Sequence, residues 1–139
     1  MLSKSGAGAH HLFIAFDRMV EVQPTDVPFK HPDDFDAESY FSPDYGMGVG
    51  FNVQPADIIL KVNARQRNYI DTLPLHPSQK EIEPHDDYSL YHLFMKPSTD
   101  LARAILPFGS DIRVVSPDSF RELLHGMASR VAENNEEEN

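Results

Sequence analysis

The sequence predicts an α+β domain: a ferredoxin-like βαββαβ sheet with a C-terminal helix, preceded by an irregular linker. The first observation behind this is the order of hydrophobic periods between Ala56 and Val115. Alternation of period two gives way to a short helical stretch, two β-like runs, a helix and a last alternating run. The second is the punctuation of Ser98 to Arg130, where helix, strand and helix each carry their own start or stop residues. The third is length, since 139 residues suffice for one modest core.

Met1 to Gly8 is rich in Gly, Ala and Ser and reads as a disordered tail. Leu12-Phe-Ile-Ala-Phe16 is a short apolar run, a strand that Asp17 to Val22 continues by alternation. A lone strand needs a partner, so it either joins the later sheet or belongs with strands outside this chain. Gln23 to Asn52 is a connector kept irregular by Pro24, Pro28, Pro32 and Pro43. Within it, Asp33 to Phe41 suits a short helix with acidic residues at its start and Phe35, Tyr40 and Phe41 as anchors. Gly46, Gly48 and Gly50 then follow at every second residue. The expected division is a tail and strand over residues 1–22, a linker over 23–54 and the α+β domain over 55–139.

Inside that domain, Ile58, Leu60 and Val62 alternate with Ile59, Lys61 and Asn63, the pattern of a half-buried strand. Asn63 is placed to cap a helix from Ala64 to Asp71, which Pro74 and Pro77 end. Gln79 to Glu83 is a weak strand, Pro84 to Asp87 a turn, and Tyr88 to Met95 a strand of β-favouring residues, together a hairpin. Ser98 or Thr99 caps the next helix, where Leu101 and Ile105 fall one turn apart, and Gly109 suits a left-handed stop. Ile112 and Val114 alternate with Asp111 and Arg113 in the last strand. Ser116-Pro117-Asp118 opens the final helix: a cap, a Pro where no N–H is required, and a carboxylate at the positive end. Phe120, Leu123, Leu124, Met127 and Val131 keep helical spacing.

Composition narrows the function classes. The net charge is −10, which argues against broad nonspecific binding of nucleic acid while leaving room for a local basic face. Much of the excess is local: Glu133, Glu136, Glu137 and Glu138 close the chain, and Asp33, Asp34, Asp36, Glu38 and Asp44 cluster without a base. No apolar run reaches the length of a membrane span, and the first ten residues lack the features of a secretory signal. There is no cysteine, hence no disulfide and no thiolate metal site, which is compatible with a cytoplasmic protein.

Several motifs together resemble a known family. Leu101 to Leu124, with Phe108-Gly109, Ile112-Arg-Val-Val115 and Pro117, is similar to the WYL C-terminal extension, the WCX domain. So is Leu75-His-Pro-Ser-Gln79 after a strand and a short helix. Phe13 to Val20, with Phe16-Asp17-Arg18, resembles the last strand of a WYL domain, and Asp33 to Tyr40 the connector between the two. The resemblance implies a bacterial transcriptional regulator whose WYL domain senses an effector, often a nucleotide or single-stranded nucleic acid. It implies a ferredoxin-like WCX domain that assists dimerisation, and a remnant WYL strand before the linker. Duplex DNA would be bound only through a helix-turn-helix, which this chain lacks, so the chain reads as a fragment of a longer regulator. Exposed apolar residues on the Leu12 to Phe16 strand would then be covered by a second copy, giving a homodimer.

The candidate binding residues follow from chemistry and from the resemblance. Arg18 matches the arginine of the closing WYL strand. Lys61, Arg65 and Arg67 lie on the first strand of the α+β domain and the helix after it, where a shared face would make a small anion patch. The alternative is that Arg65 and Arg67 are solvated helix residues. His76, Ser78 and Gln79 offer imidazole, hydroxyl and amide to an effector, or else bond their own backbone. The histidines show no ligand spacing, so no metal is expected, and no cofactor either. Gly46-Met-Gly-Val-Gly50 lacks the spacing of a dinucleotide fingerprint, and no nucleophile elbow occurs. With no matched acid, base and nucleophile, the chain is read as a non-enzyme. The alternative function is a stand-alone ferredoxin-like domain binding a small ligand.

Overall fold

The structure is a computed structural model that describes residues 2–4, 11–13, 16–29, 33, 35–44 and 53–136. The chain divides into two compact units, residues 1–36 and 37–139.

In the first unit, β1 (Leu2–Lys4) pairs antiparallel with β2 (His11–Phe13), Ser3 lying opposite Leu12. The N-terminal tail thus supplies the partner that the apolar run requires. The run is also shorter than its alternation suggests. Phe16–Arg18 forms a 3-10 turn, closed by the Met19 N–H donating to the Phe16 carbonyl at 3.2 Å, and Met19 to Val22 form no strand. Alternating residues become a strand only where a neighbour takes up their backbone groups. Phe16, Val20 and Val22 are exposed.

The second unit opens with α1 (Ala37–Phe41), shorter than the expected helix, with Tyr40 half-buried. This part of the expected linker is tied to the α+β domain: the Lys96 N–H donates to the Pro43 carbonyl at 2.8 Å. Gly46, Gly48 and Gly50 lie outside the described residues.

The domain proper follows the predicted order. It runs β3 (Ala56–Asn63), α2 (Ala64–Thr72), β4 (Lys80–Pro84), β5 (Tyr88–Met95), α3 (Thr99–Ile105), β6 (Ile112–Ser116) and α4 (Asp118–Glu133). The four strands pair antiparallel in the order β4-β5-β3-β6, the ferredoxin-like arrangement. Register puts Ile58 opposite Leu93, Leu60 between Tyr91 and Val114, and Val62 between Ser89 and Ile112. Those alternate residues are buried, and they share one core with Ile70 of α2, Leu101 and Ile105 of α3, and Phe120 of α4. All three helices therefore cover the same face of the sheet. Leu123, Leu124 and Met127 pack against the core from its edge, while Val131, in the same helical series, is exposed.

Helix ends differ from expectation in two places. Ser98 caps α3 as predicted, its Oγ accepting the Leu101 N–H at 3.2 Å. Asn63 occupies the N-cap position of α2 but makes no side-chain cap, because its amide reaches Asp111 instead. The N-cap of α4 is Pro117, not Ser116, after a cis Ser116–Pro117 peptide, and its carbonyl accepts from Phe120 and Arg121 at 3.1 Å each. Gly109 has the positive φ expected of it (+54°), within a 3-10 stretch, Leu106–Asp111, that leads directly into β6.

Candidate functional site

Three clusters of polar side chains flank the sheet, and between them they contain six of the seven residues named from sequence. The first sits where β3 turns into α2. Asp111, at the entry to β6, is nearly covered, and its carboxylate collects three side chains. Arg65 donates from Nε at 2.7 Å and from Nη2, Asn63 Nδ2 donates to Oδ1 at 3.1 Å, and Gln66 Nε2 to Oδ2 at 3.2 Å. The Arg65 hydrogen bonds hold the Asp111 carboxyl below the usual carboxylate range; desolvation opposes this, and the Gln66 and Asn63 bonds add to it. Reciprocally, Asp111 raises the Arg65 guanidinium. The Arg65 side chain is still largely exposed, but its Nε and one of its Nη groups are committed to this carboxylate.

The second cluster closes the β4–β5 turn. Arg67 Nη2 donates to the carbonyls of His85 (2.6 Å) and Tyr88 (3.0 Å), bridging the two sides of the turn, with Glu81 3.9 Å from its Nε. On the Tyr88 ring, Lys61 Nζ stands 3.7 Å from the centroid, and the His85 ring stacks at 4.2 Å. His85 Nε2 pairs with Glu83 at 2.6 Å. Lys61 and Arg67 thus meet at one residue, one on its ring and one on its carbonyl.

The third cluster is the loop after α2. His76 is buried. Its Nε2 lies 2.6 Å from the Ser42 carbonyl, which can only accept, so Nε2 carries the proton and Nδ1 is left as an acceptor. Ser78 faces that nitrogen with its Oγ at 2.7 Å and its N–H at 3.2 Å, and the same Oγ accepts the Phe94 N–H at 2.9 Å. Gln79 accepts from the Leu75 N–H at 3.0 Å and donates to the Ile70 carbonyl at 2.9 Å. All three side chains named from this motif bond the protein's own backbone, and His76 fastens the α1 segment to the end of β5. A cleft of about 720 Å³ opens beside them, lined by Phe41, Pro43, Asp44, His76, Ser78 and Phe94. Asp44 pairs with Lys96 through Oδ1 at 2.7 Å, while its buried Oδ2 has no hydrogen-bond partner among the described residues.

The remaining named residue, Arg18, lies exposed in the first unit at the end of its 3-10 turn. Sequence reading missed Asp111, Asp44 and Lys96. Asp111 looked like an outward strand residue, and nothing local links it to a partner 46 positions away. Among the described residues no helix is long and apolar enough to cross a membrane.

Strand order, helix placement and these clusters define a ferredoxin-like α+β domain whose loop polar groups hold its own turns in place. The family model of the WCX domain matches residues 54–132, from just before β3 almost to the end of α4. The chain belongs to the WCX family, and its second unit carries the C-terminal module of a WYL-type regulator. No curated protein sequence matches the chain.

Proposed function

We propose that this chain is the non-catalytic sensing and self-association module of a bacterial, cytoplasmic WYL-type transcriptional regulator. The WCX match across the whole sheet and α4 carries the reading. Duplex DNA contact then belongs to a helix-turn-helix elsewhere in the regulator, and the effector is a nucleotide or single-stranded nucleic acid. The sheet face opposite the helices supports that effector class. It presents Lys61 between Leu90 and Arg113 at one end and half-exposed Phe94 opposite Asp57 at the other, with Ile59 and His92 between. A cation beside apolar and aromatic side chains suits a phosphate next to a flat base.

Fluorescence anisotropy with a labelled single-stranded oligonucleotide tests the proposal, comparing this chain with the full-length regulator. Lys61→Ala is expected to weaken binding and to reduce the salt slope by about 0.7, the share of one phosphate contact. Affinity and slope unchanged by that substitution would remove the outer sheet face from the effector site.

A further inference from the structure

The outer face of the sheet changes character along β3. At one end Lys61 lies opposite Arg113 of β6, and the Lys61 ammonium leans outward over Tyr88, the partner of Asn63. At the other end stands an acid. Asp57 is 73% exposed and lies opposite Phe94, and its Oδ1 accepts from His92 Nε2 at 2.7 Å. Lys80 faces His92 from the edge strand β4, so this end also has a cation. Phe94 borders the cleft beside α1 as well, whose lining includes Phe41, Glu38 and Asp44, the last paired with Lys96.

Lys61 and Asp57 are four residues apart on one strand, about 13 Å. A phosphate at Lys61 and a base on Phe94 therefore belong to successive nucleotides of a strand, not to one nucleotide. A carboxylate on such a face repels the ligand unless it meets hydrogen-bond donors. Side chains directly opposite on antiparallel strands stand close, so the edge of a base stacked on Phe94 meets Asp57. Guanine alone among the bases has two adjacent donors on its pairing edge, N1–H and the N2 amino group. A carboxylate has two oxygens to match them, and Oδ1 keeps a lone pair while it accepts from His92. Adenine and cytosine set their amino group beside a bare ring nitrogen, and thymine and uracil set one N–H between two carbonyls. Each of those acceptors would confront the carboxylate. We infer that the Phe94–Asp57 end of this face reads guanine in a single strand. The inference rests on the effector reading above and specifies its base.

Anisotropy with short oligothymidine strands carrying a single guanine, hypoxanthine or adenine tests the inference. Hypoxanthine keeps N1–H and lacks the N2 amino group. The guanine strand is expected to bind about tenfold more tightly than the hypoxanthine strand, with adenine no better. Asp57→Asn keeps an acceptor for His92 and replaces one of the two oxygens that face the base. It is expected to abolish the guanine advantage while the salt slope and the circular dichroism spectrum stay unchanged, since the site is exposed. Free guanosine monophosphate, too short to reach Lys61, is expected to compete poorly, and competition equal to that of the guanine strand overturns the span. Strands that bind equally whatever the base, or a guanine preference that survives Asp57→Asn, overturn the base reading and leave the effector class standing. Absence of binding by every strand overturns both.

Discussion

Arg65 and Asp111 stand 46 residues apart in the chain, and Arg65 Nε donates to the Asp111 carboxylate at 2.7 Å. The contact joins the first turn of α2, which follows directly from β3, to the entry of β6, the strand that pairs with β3 in the sheet. With Asn63 and Gln66 on the same carboxylate, one acid organises the junction of three elements.

Acid sensitivity follows from that junction. Asp111 has its folded-state pKa depressed, so the stabilisation it contributes is complete above the ordinary carboxyl range and is lost as pH falls through the folded value. Urea unfolding of Asp111→Asn is expected to show a lower midpoint at neutral pH and a flatter acid limb than the parent. Equal acid limbs would show that Arg65 contributes no charge-dependent stabilisation.

Tyr91 makes the opposite prediction at high pH. Its ring is buried beneath α2, and its hydroxyl donates to Asp71 Oδ1 at 2.7 Å. Burial first, then the bond to Asp71 and that residue's charge, push the phenol upward. The stabilisation is therefore complete below about pH 10 and is lost as pH rises through the higher folded value. Tyr91→Phe is expected to cost about 1 kcal/mol at pH 7 and to remove this alkaline dependence. Denaturant titrations at pH 7 and at about pH 11.5, above the ordinary tyrosine value, measure both effects.

Ser98 caps α3 from a buried position. Ser98→Ala is expected to lower stability by about 1 kcal/mol, while Thr99→Ala, at the exposed neighbouring site, leaves it nearly unchanged. Equal effects from the two would contradict the assignment of the cap.

His76 holds the α1 segment through the Ser42 carbonyl. His76→Phe keeps an aromatic ring but removes both ring nitrogens, with an expected loss of about 1 kcal/mol. The sharper readout is amide exchange at Lys96, whose N–H bonds the Pro43 carbonyl and should exchange faster once the segment loosens. Unchanged protection at Lys96 would show that α1 is held by other contacts.

The oligonucleotide experiment gains a contrast from the observed bonding. Arg65 and Arg67 are committed to Asp111 and to the His85 and Tyr88 carbonyls. Arg65→Ala and Arg67→Ala are therefore expected to lower the thermal midpoint more than they lower affinity, whereas Lys61→Ala does the reverse. Affinity losses from the arginine variants that exceed the Lys61→Ala loss would place the effector against the arginines rather than Lys61.

The sequence by itself determined the order of elements and the inward face of the sheet. Ile58, Leu60 and Val62 could bury only as an alternating strand, and Ser98 with Gly109 bounded α3 and the turn after it, because propensity, period and capping act over a few neighbouring residues. The register that brings Leu60 between Tyr91 and Val114 belongs to the tertiary structure, as does the pairing of β1 with β2. So do the destinations of the polar side chains. Asn63 had the composition of a cap and Asp111 that of a surface residue, yet each found the other across 48 positions. A hydrogen bond depends on where folding brings its donor and acceptor, and that distance is set by the packed core rather than by either residue's neighbours in the chain.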